Sequence, residues 1–269
     1  MHGRVLVIAG SDSGGGAGIQ ADIKTITAFG GYAATAITAL TAQNTLGVHG
    51  VHLVPPEFVG QQIVAVLDDI GADVVKTGML GDAATIEVVC DTLDRRIERV
   101  PVVVDPVMVA TTGARLLASG AVETLKRRLL PMARLITPNL PEAEALAGMT
   151  IRDVAAMRHA AAALLTLGVP AVLLKGGHLP GEQVIDLLAT VDGVEEFSAP
   201  RIVSRHTHGT GCTLASGIAA GLAQGVPLRD AVMRALAFVR TAIAAAPGFG
   251  AGNGPLDHTI TVDLARLTR

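Results

Sequence analysis

Aromatic and basic side chains are both scarce in this chain. Its 269 residues include no tryptophan, one tyrosine and five phenylalanines, and the formal net charge is −3. Proteins that bind nucleic acid usually carry a basic surface, and those that bind single strands add aromatic platforms on which bases stack. The composition therefore argues against a nucleic-acid partner.

Long apolar runs and a cysteine framework are also missing. The longest uncharged apolar stretch, residues 160–174, is too short and too interrupted by glycine and proline to span a bilayer. The two cysteines, Cys90 and Cys212, are too few for a disulfide framework. The N-terminus, with early glycines and Asp12, lacks a signal-peptide pattern. We expect a cytoplasmic protein without a membrane partner.

Hydrophobic residues make up 50% of the chain, enough to bury one large core, and we expect residues 1–269 to form a single domain. Short apolar runs alternate with amphipathic, alanine-rich segments. This order predicts an α/β fold with a doubly wound, mostly parallel sheet and helices on both faces. Strands are predicted at 5–9, 72–75, 101–104, 134–137 and 171–174. A hairpin is predicted over 183–198, and helices from about 211 and from about 228 to near 246.

A polar side chain ends four of these apolar runs: Lys76, Asp105, Asn139 and Lys175. In open α/β sheets the ligand crevice lies outside the carboxyl ends of the strands, so these side chains are expected to converge there. The glycine-rich loop over residues 10–18 would join them. Two amines and an acid suit a magnesium-bound polyphosphate, although any strand must end in something polar.

The segment 207–216 predicts an anion site. Gly209 and Gly211 lead into an alanine- and leucine-rich helix with Cys212 in its first turn. The unpaired N–H groups of a first turn and the positive end of the helix dipole favour a phosphate there. The alternative is an ordinary glycine-rich loop ahead of a helix with a buried thiol.

Other polar residues near the predicted crevice leave alternatives open. The first loop has neither dinucleotide-binding nor Walker A spacing, so a loop that closes over a substrate is the better interpretation. Asn139 and Glu142 suit a helix capping box, and they equally suit a metal's water shell beside phosphates. His178, His206 and His208 are assigned no catalytic role.

Eight motifs, taken together and in order, resemble the ribokinase-like superfamily. Within it they are most similar to the hydroxymethylpyrimidine and phosphomethylpyrimidine kinases of thiamin biosynthesis, and the match covers nearly the whole chain. The motifs are residues 9–22, 38–45, 76–80, 105–108, 137–142, 175–178, 207–213 and 252–255.

The resemblance implies a ribokinase-like fold, a homodimer and two reactions. ATP would phosphorylate 4-amino-5-hydroxymethyl-2-methylpyrimidine to its monophosphate, and then the monophosphate to the diphosphate. Both transfers depend on alignment and charge neutralisation. The nearest alternative is a pyridoxal, pyridoxine or pyridoxamine kinase, because that ring also bears a hydroxymethyl group. A non-catalytic nucleotide- or vitamin-binding module is the second alternative.

The same resemblance implies a role for each candidate residue. Mg²⁺ would be held through Asp105 and Glu142, with Asn139 nearby. Lys175 and the amides of the 209–212 turn would surround the transferring phosphate. The pyrimidine would meet Gln43, whose amide both donates and accepts hydrogen bonds. Further candidates for the pyrimidine pocket are Gly10, Asp22, Met79 and Val107, and for the ATP side Asn139, Lys175, Thr210 and Lys76.

Cys212 stands where most ribokinase-like kinases carry an aspartate base. A helix N-terminus is expected to acidify a thiol, so Cys212 is a candidate base for the first transfer, together with Gly209, Gly211 and Lys175 as catalytic groups. The acceptor of the second transfer is an ionised phosphate monoester that needs no base. We hypothesise that a thiol able to stay neutral tolerates this dianion better than a carboxylate would. Simple packing of the thiol is the alternative.

Overall fold

The computed structural model describes residues 2–97, 100–110, 113–118, 120–263 and 265. The helices are α1 (Gly18–Ala28), α2 (Pro56–Asp69), α3 (Ala83–Arg96), α4 (Ala121–Thr124), α5 (Leu140–Ala147), α6 (Val154–Leu165), α7 (Thr210–Ala223) and α8 (Leu228–Ala244). The strands are β1 (Arg4–Asp12), β2 (Tyr32–Asn44), β3 (Gly47–Leu53), β4 (Val74–Thr77), β5 (Val102–Val104), β6 (Ala133–Ile136), β7 (Ala171–Leu174), β8 (Gln183–Thr190) and β9 (Gly193–Pro200).

Across the part of the chain that the structure describes, the nine strands form one sheet in the order β3-β2-β1-β4-β5-β6-β7-β8-β9. All neighbours from β2 to β7 run parallel, whereas β3, β8 and β9 pair antiparallel at the two ends. β2 lies on one side of β1 and β4 lies on the other, so the order of the strands reverses at β1. In α/β proteins the ligand crevice lies at such a reversal. The predicted mostly parallel α/β fold is confirmed.

The core lies on both faces of this sheet. Leu6 and Ile8 of β1 face one cluster, packed by α2, α3, α5 and α6, whereas Val5 and Val7 face another, packed by α1, α7 and α8. Alternate side chains of a strand point to opposite faces, so a strand covered on both sides reads as a continuous apolar run. This is why the apolar runs predict the central strands.

The prediction of the last part of the chain is confirmed. The predicted strand 171–174 coincides with β7, and the hairpin 183–198 becomes β8 and β9. The helices expected from about 211 and 228 are α7 and α8. No described helix is both long enough and apolar enough to cross a membrane. The sequence also makes the segment 110–113 a candidate for movement, and residues 111 and 112 lie outside the described residues.

Two strands, β2 and β3, were not predicted. β2 contains threonines and alanines instead of a branched apolar run, and every residue of β3 is at least partly exposed. Backbone pairing to β1 on one side and within the β2–β3 hairpin on the other forms these strands. This pairing is a tertiary effect that local sequence does not report.

Lys76 does not follow β4, as predicted, but is its third residue. Its ammonium group is fully buried and donates to both carboxylate oxygens of Asp22 on α1, at 2.9 and 3.0 Å. Burial disfavours the ammonium ion, but the Asp22 carboxylate raises the pKa of Lys76 above its ordinary value. Asp22 also accepts from Ser216 of α7 at 2.7 Å. The ion pair therefore joins β4, α1 and α7 inside the core.

This pair bears on two expectations about the site. Asp22 was expected to line the pyrimidine pocket, yet its side chain is fully buried and occupied by Lys76 and Ser216. Lys76 was expected to bind ATP; its ammonium group is hydrogen-bonded to Asp22, and the residue also lines the cavity described below, so a role in binding ATP stays a prediction. The reason is electrostatic, because a buried charge requires a partner of opposite sign.

Removing one member of this pair is expected to destabilise the fold strongly. Lys76→Met should lower the free energy of unfolding by about 3–5 kcal/mol, because it leaves a buried carboxylate unpaired. Denaturant unfolding measures the change. The control is Lys126→Met, which removes an exposed ion pair to Glu123 and should cost less than about 1 kcal/mol. Adding Asp22→Asn to Lys76→Met should recover part of the lost stability. If Lys76→Met and Lys126→Met lower the free energy of unfolding equally, the buried pair does not have this importance.

Candidate active site

A cavity of about 1070 Å³ opens at the carboxyl ends of the parallel strands. It gathers residues from the first loop, the end of β2, the segments after β4, β5 and β7, and the first turns of α5 and α7. The predicted site residues that line it are Gly10, Gln43, Lys76, Met79, Asp105, Val107, Asn139, Glu142, Lys175, Gly209, Thr210, Gly211 and Cys212. The convergence predicted from the strand ends is therefore observed.

The turn before α7 has the backbone that the two glycines predicted. Gly209 is the N-cap residue, with φ of 85°, and no side chain caps the helix. A Cβ on Gly209 would lie 1.8 Å from the carbonyl oxygen of Gly16, so the two backbones touch here. A Cβ on Gly211 would lie 3.2 Å from Nζ of Lys175. The helix N-terminus thus opens beside a cation, an arrangement suited to an anion. We call residues 207–212 the anion turn.

Lys175 and Asp105 form an ion pair at the cavity wall. Nζ of Lys175 lies 3.1 Å from Oδ1 of Asp105, which also accepts from the Thr137 hydroxyl at 3.1 Å. Although burial disfavours the ammonium ion, the carboxylates of Asp105 and Glu142 raise the pKa of Lys175 above its ordinary value. Lys175 is therefore a permanent cation beside the anion turn.

Asn139 and Glu142 form the predicted capping box of α5. Oδ1 of Asn139 accepts from the Glu142 amide at 2.9 Å, and Oε2 of Glu142 accepts from the Asn139 amide at 2.8 Å. Burial raises the pKa of Glu142 to about 7, against the opposing effect of Lys175. Both residues also line the cavity. Asn139 and Glu142 can therefore cap α5 and still lie beside phosphates bound in the cavity.

Three candidates for the pyrimidine pocket, Gly10, Gln43 and Met79, line the cavity together. Gly10 leaves room for Met79, since a Cβ on Gly10 would lie 3.0 Å from the Met79 sulfur. The Thr38 hydroxyl donates to the Met79 carbonyl at 2.6 Å and fixes that segment. Gln43, near the end of β2, lines the same cavity. These residues form a mainly apolar pocket with one amide.

Cys212 does not have the acidity predicted from its place at a helix N-terminus. Burial raises the pKa of its thiol to about 12, outweighing Lys76, which acts to lower it, while Asp22 and Asp105 raise it further. A first-turn dipole stabilises a thiolate only where solvent or a cation outweighs desolvation. Near neutral pH Cys212 is a neutral thiol.

Sequence reasoning missed Asp12 and His208. Asp12 is buried at the end of β1, and the buried His208 ring lies 2.9 Å from its carboxylate. The contact joins residues 196 positions apart. An aspartate followed by several glycines was the available signal, because such a side chain often bonds nearby backbone amides. His178 lines the cavity, and burial lowers its pKa.

Comparison with known proteins identifies the family. The family described as phosphomethylpyrimidine kinase matches residues 12–257. The hydroxymethylpyrimidine/phosphomethylpyrimidine kinase of Streptomyces coelicolor is 51% identical over 94% of this chain and 93% of that protein. The thiamine biosynthesis bifunctional protein ThiED of Geobacter sulfurreducens is 54% identical over 98% of this chain. This chain spans only 54% of the length of that relative.

Solved structures give the same result. The phosphomethylpyrimidine kinase of Clostridium difficile superposes with a TM-score of 0.79 at 40% identity, covering 89% of this chain and 99% of that one. The ADP complex of Bacillus subtilis pyridoxal kinase superposes with a TM-score of 0.89 at 34% identity, covering 99% of this chain and 100% of that one. With the family match and the converged cavity, these findings place the chain in the phosphomethylpyrimidine kinase family, within the ribokinase-like fold.

Proposed function

We propose that this chain is a bifunctional hydroxymethylpyrimidine and phosphomethylpyrimidine kinase. It transfers the γ-phosphoryl group of ATP to the hydroxymethyl oxygen of 4-amino-5-hydroxymethyl-2-methylpyrimidine, and then a second phosphoryl group to the monophosphate. The observation that carries this proposal is the anion turn beside the Lys175–Asp105 pair, in one cavity with Gln43. The relatives described above support the choice of substrate.

The residues of this cavity suit phosphoryl transfer. The loose transition state spreads charge over the transferring oxygens, so catalysis depends on alignment and on charge stabilisation. The amides that follow Gly209 and Gly211 and the ammonium group of Lys175 supply fixed positive charge for those oxygens. Asn139 and Thr210 line the same region and are assigned to ATP. Solved relatives include complexes of Staphylococcus aureus pyridoxal kinase with ADP and with AMP-PCP.

The donor set at the cavity wall fits magnesium. Asp105 and Glu142 offer carboxylate oxygens, and hard oxygen ligands are those that Mg²⁺ prefers. The described residues include no group of three or more histidine, cysteine or acidic side chains able to hold a metal ion. That suits an ion held by one or two carboxylates, with phosphates and water as its remaining ligands. When bound, Mg²⁺ would neutralise the charge that develops on the phosphates.

Cys212 contributes as a neutral group in this proposal. A thiol with a pKa of about 12 is protonated near neutral pH, so it can stand beside the hydroxymethyl group without repelling a phosphate. The second acceptor is a phosphate monoester, which is largely dianionic at neutral pH. The neutral thiol therefore allows one pocket to accept both an alcohol and a phosphate.

Replacement of Cys212 is expected to separate the two transfers. Cys212→Ala should slow the first transfer about tenfold, the loss of one hydrogen bond to the hydroxyl, and the second transfer less. Cys212→Asp should slow the second transfer at least about a hundredfold, because the carboxylate repels the incoming phosphate. Single-turnover rates with each acceptor measure both effects. Cys90→Ala, the same change in the buried core, is the control, and equal losses in both transfers would contradict the assignment.

Product analysis tests the proposed reaction itself. Purified protein with ATP and Mg²⁺ is offered the pyrimidine, its monophosphate and pyridoxal in parallel, and products are identified by mass spectrometry. We expect the pyrimidine diphosphate, from either pyrimidine substrate. Phosphorylation of pyridoxal alone would favour the vitamin B6 kinase alternative, which the likeness to pyridoxal kinases motivates. Absence of every product, with ligand binding retained, would favour a binding module.

We also propose that the chain acts as one kinase domain and pairs as a homodimer. The C-terminal helices α7 and α8 pack with β1 residues in one core cluster, which supports a single unit. The edge strand β3 and its hairpin expose Leu40, Leu46 and Val51. An uncovered apolar edge strand favours pairing with a second chain. Analytical ultracentrifugation should give the mass of a dimer for the unmodified protein and of a monomer for the double variant Leu46→Lys/Val51→Lys. A monomeric unmodified protein would contradict the pairing.

A further inference from the structure

Asp12 and His208 form a buried contact that the proposed reaction does not use. The Asp12 side chain ends β1 and is 3% exposed, and His208 is 6% exposed. Nε2 of His208 lies 2.9 Å from Oδ2 of Asp12. The contact joins the loop after β1, residues 13–17, to the anion turn before α7. Two walls of the cavity therefore meet at this pair.

Asp12 organises the first loop through the loop backbone. Its Oδ1 accepts from the Gly14 amide at 2.8 Å, and its Oδ2 accepts from the Gly16 amide at 3.0 Å and the Ala17 amide at 2.8 Å. One carboxylate thus holds three of the five residues between β1 and α1. This side chain is therefore a major support of the loop conformation.

In the hydrogen bond between His208 and Asp12, the donor and the acceptor can be assigned. Burial acts to raise the pKa of Asp12, but the hydrogen bonds from His208 and from the loop amides hold it below its ordinary value. An ionised carboxylate only accepts hydrogen bonds, so Nε2 of His208 must carry a hydrogen and donate it. A charge-assisted bond of this kind is among the stronger hydrogen bonds in proteins.

The first loop also packs against the His208 ring and against the backbone of Gly209. A Cβ on Gly16 would lie 2.5 Å from Cδ2 of His208, so the ring packs directly against the loop. A Cβ on Gly209 would lie 1.8 Å from the Gly16 carbonyl oxygen. Any shift of the loop relative to the anion turn must therefore break the His208 bond or move both backbones.

Gln43 lies beside the same ring nitrogen. Its Nε2 is 3.2 Å from Nε2 of His208, whose hydrogen already belongs to Asp12. That nitrogen therefore has no lone pair to accept a hydrogen bond from Gln43, and the 3.2 Å separation is a packing contact between the amide and the ring.

We propose that His208 is a positioning residue, whose bond to Asp12 fixes the first loop against the anion turn. It holds the pyrimidine side of the cavity at a set distance from the phosphate side. Small displacements between reacting groups have large effects on rate, which gives the bond its importance. This inference rests on the proposed function for its kinetic consequence, but not for its structural one.

The kinetic test compares two substitutions of His208. His208→Ala removes the donor and should lower kcat for both transfers about a hundredfold, with little change in the KM for ATP. His208→Gln restores an N–H donor at a similar reach and should regain most of the lost kcat. His159→Ala, an exposed histidine of α6, is the control. A His208→Ala variant with unchanged kcat, or a His208→Gln variant as poor as His208→Ala, would overturn the proposal.

Amide hydrogen exchange tests the same contact without turnover. In ligand-free protein, exchange of the Gly14, Gly16 and Ala17 amides should be at least about tenfold faster in His208→Ala, the worth of one charge-assisted bond. Exchange in α6 serves as the internal reference for global stability. If the unmodified protein lacks kinase activity but the exchange responds, the proposed function fails and the positioning role stands. If turnover is present and the exchange does not change, the positioning role fails.

Discussion

The contact between the Gly16 carbonyl and Gly209 is the constraint on which the rest of the site depends. Neither position leaves room for a side chain: an added Cβ at Gly209 would lie 1.8 Å from that carbonyl oxygen, and one at Gly16 would lie 2.5 Å from Cδ2 of His208. This approach places the first loop, which follows β1, directly against the turn that opens α7. The substrate side and the phosphate side of the cavity are thereby held together by backbone, which carries little conformational freedom once folded.

Charge balance is the second requirement of this sheet edge. The cavity wall carries Lys175 with Asp105, and the core behind it carries Lys76 with Asp22. The two pairs have different uses. Both lysines line the cavity, but Lys175 is partly exposed and can meet a phosphate, whereas the fully buried ammonium group of Lys76 is neutralised by Asp22. Because Asp22 neutralises the buried ammonium group of Lys76, that group does not draw a polyphosphate into the core, and Lys175 remains the cation at the cavity wall.

Much of this arrangement could be predicted from the sequence, for physical reasons. Strands buried on both faces appear as apolar runs, and β7 was located residue for residue in that way. The polar residues that follow such strands were found because parallel strands end at one edge. β2 and β3 could not be found, since their stability comes from pairing with β1 and with each other.

The side-chain partners were harder to predict than the positions. Lys76 was placed at the site because it followed an apolar pair, but its partner on α1 decided where its charge is used. Cys212 was correctly placed at the turn, yet desolvation outweighs the helix dipole and keeps the thiol neutral. His208 and Asp12 are 196 residues apart, so no local pattern links them. Contacts of this kind are fixed by the fold and are read only from it.

If one cavity performs both transfers, the two acceptors must compete for it, and a competition experiment tests this most directly. Initial rates of the first transfer are measured at several concentrations of the pyrimidine and of its monophosphate, with ATP saturating. The account predicts that the monophosphate inhibits competitively against the pyrimidine, with an inhibition constant equal to its KM as a substrate of the second transfer. Non-competitive inhibition, or an inhibition constant unrelated to that KM, would mean two separate sites and would contradict it.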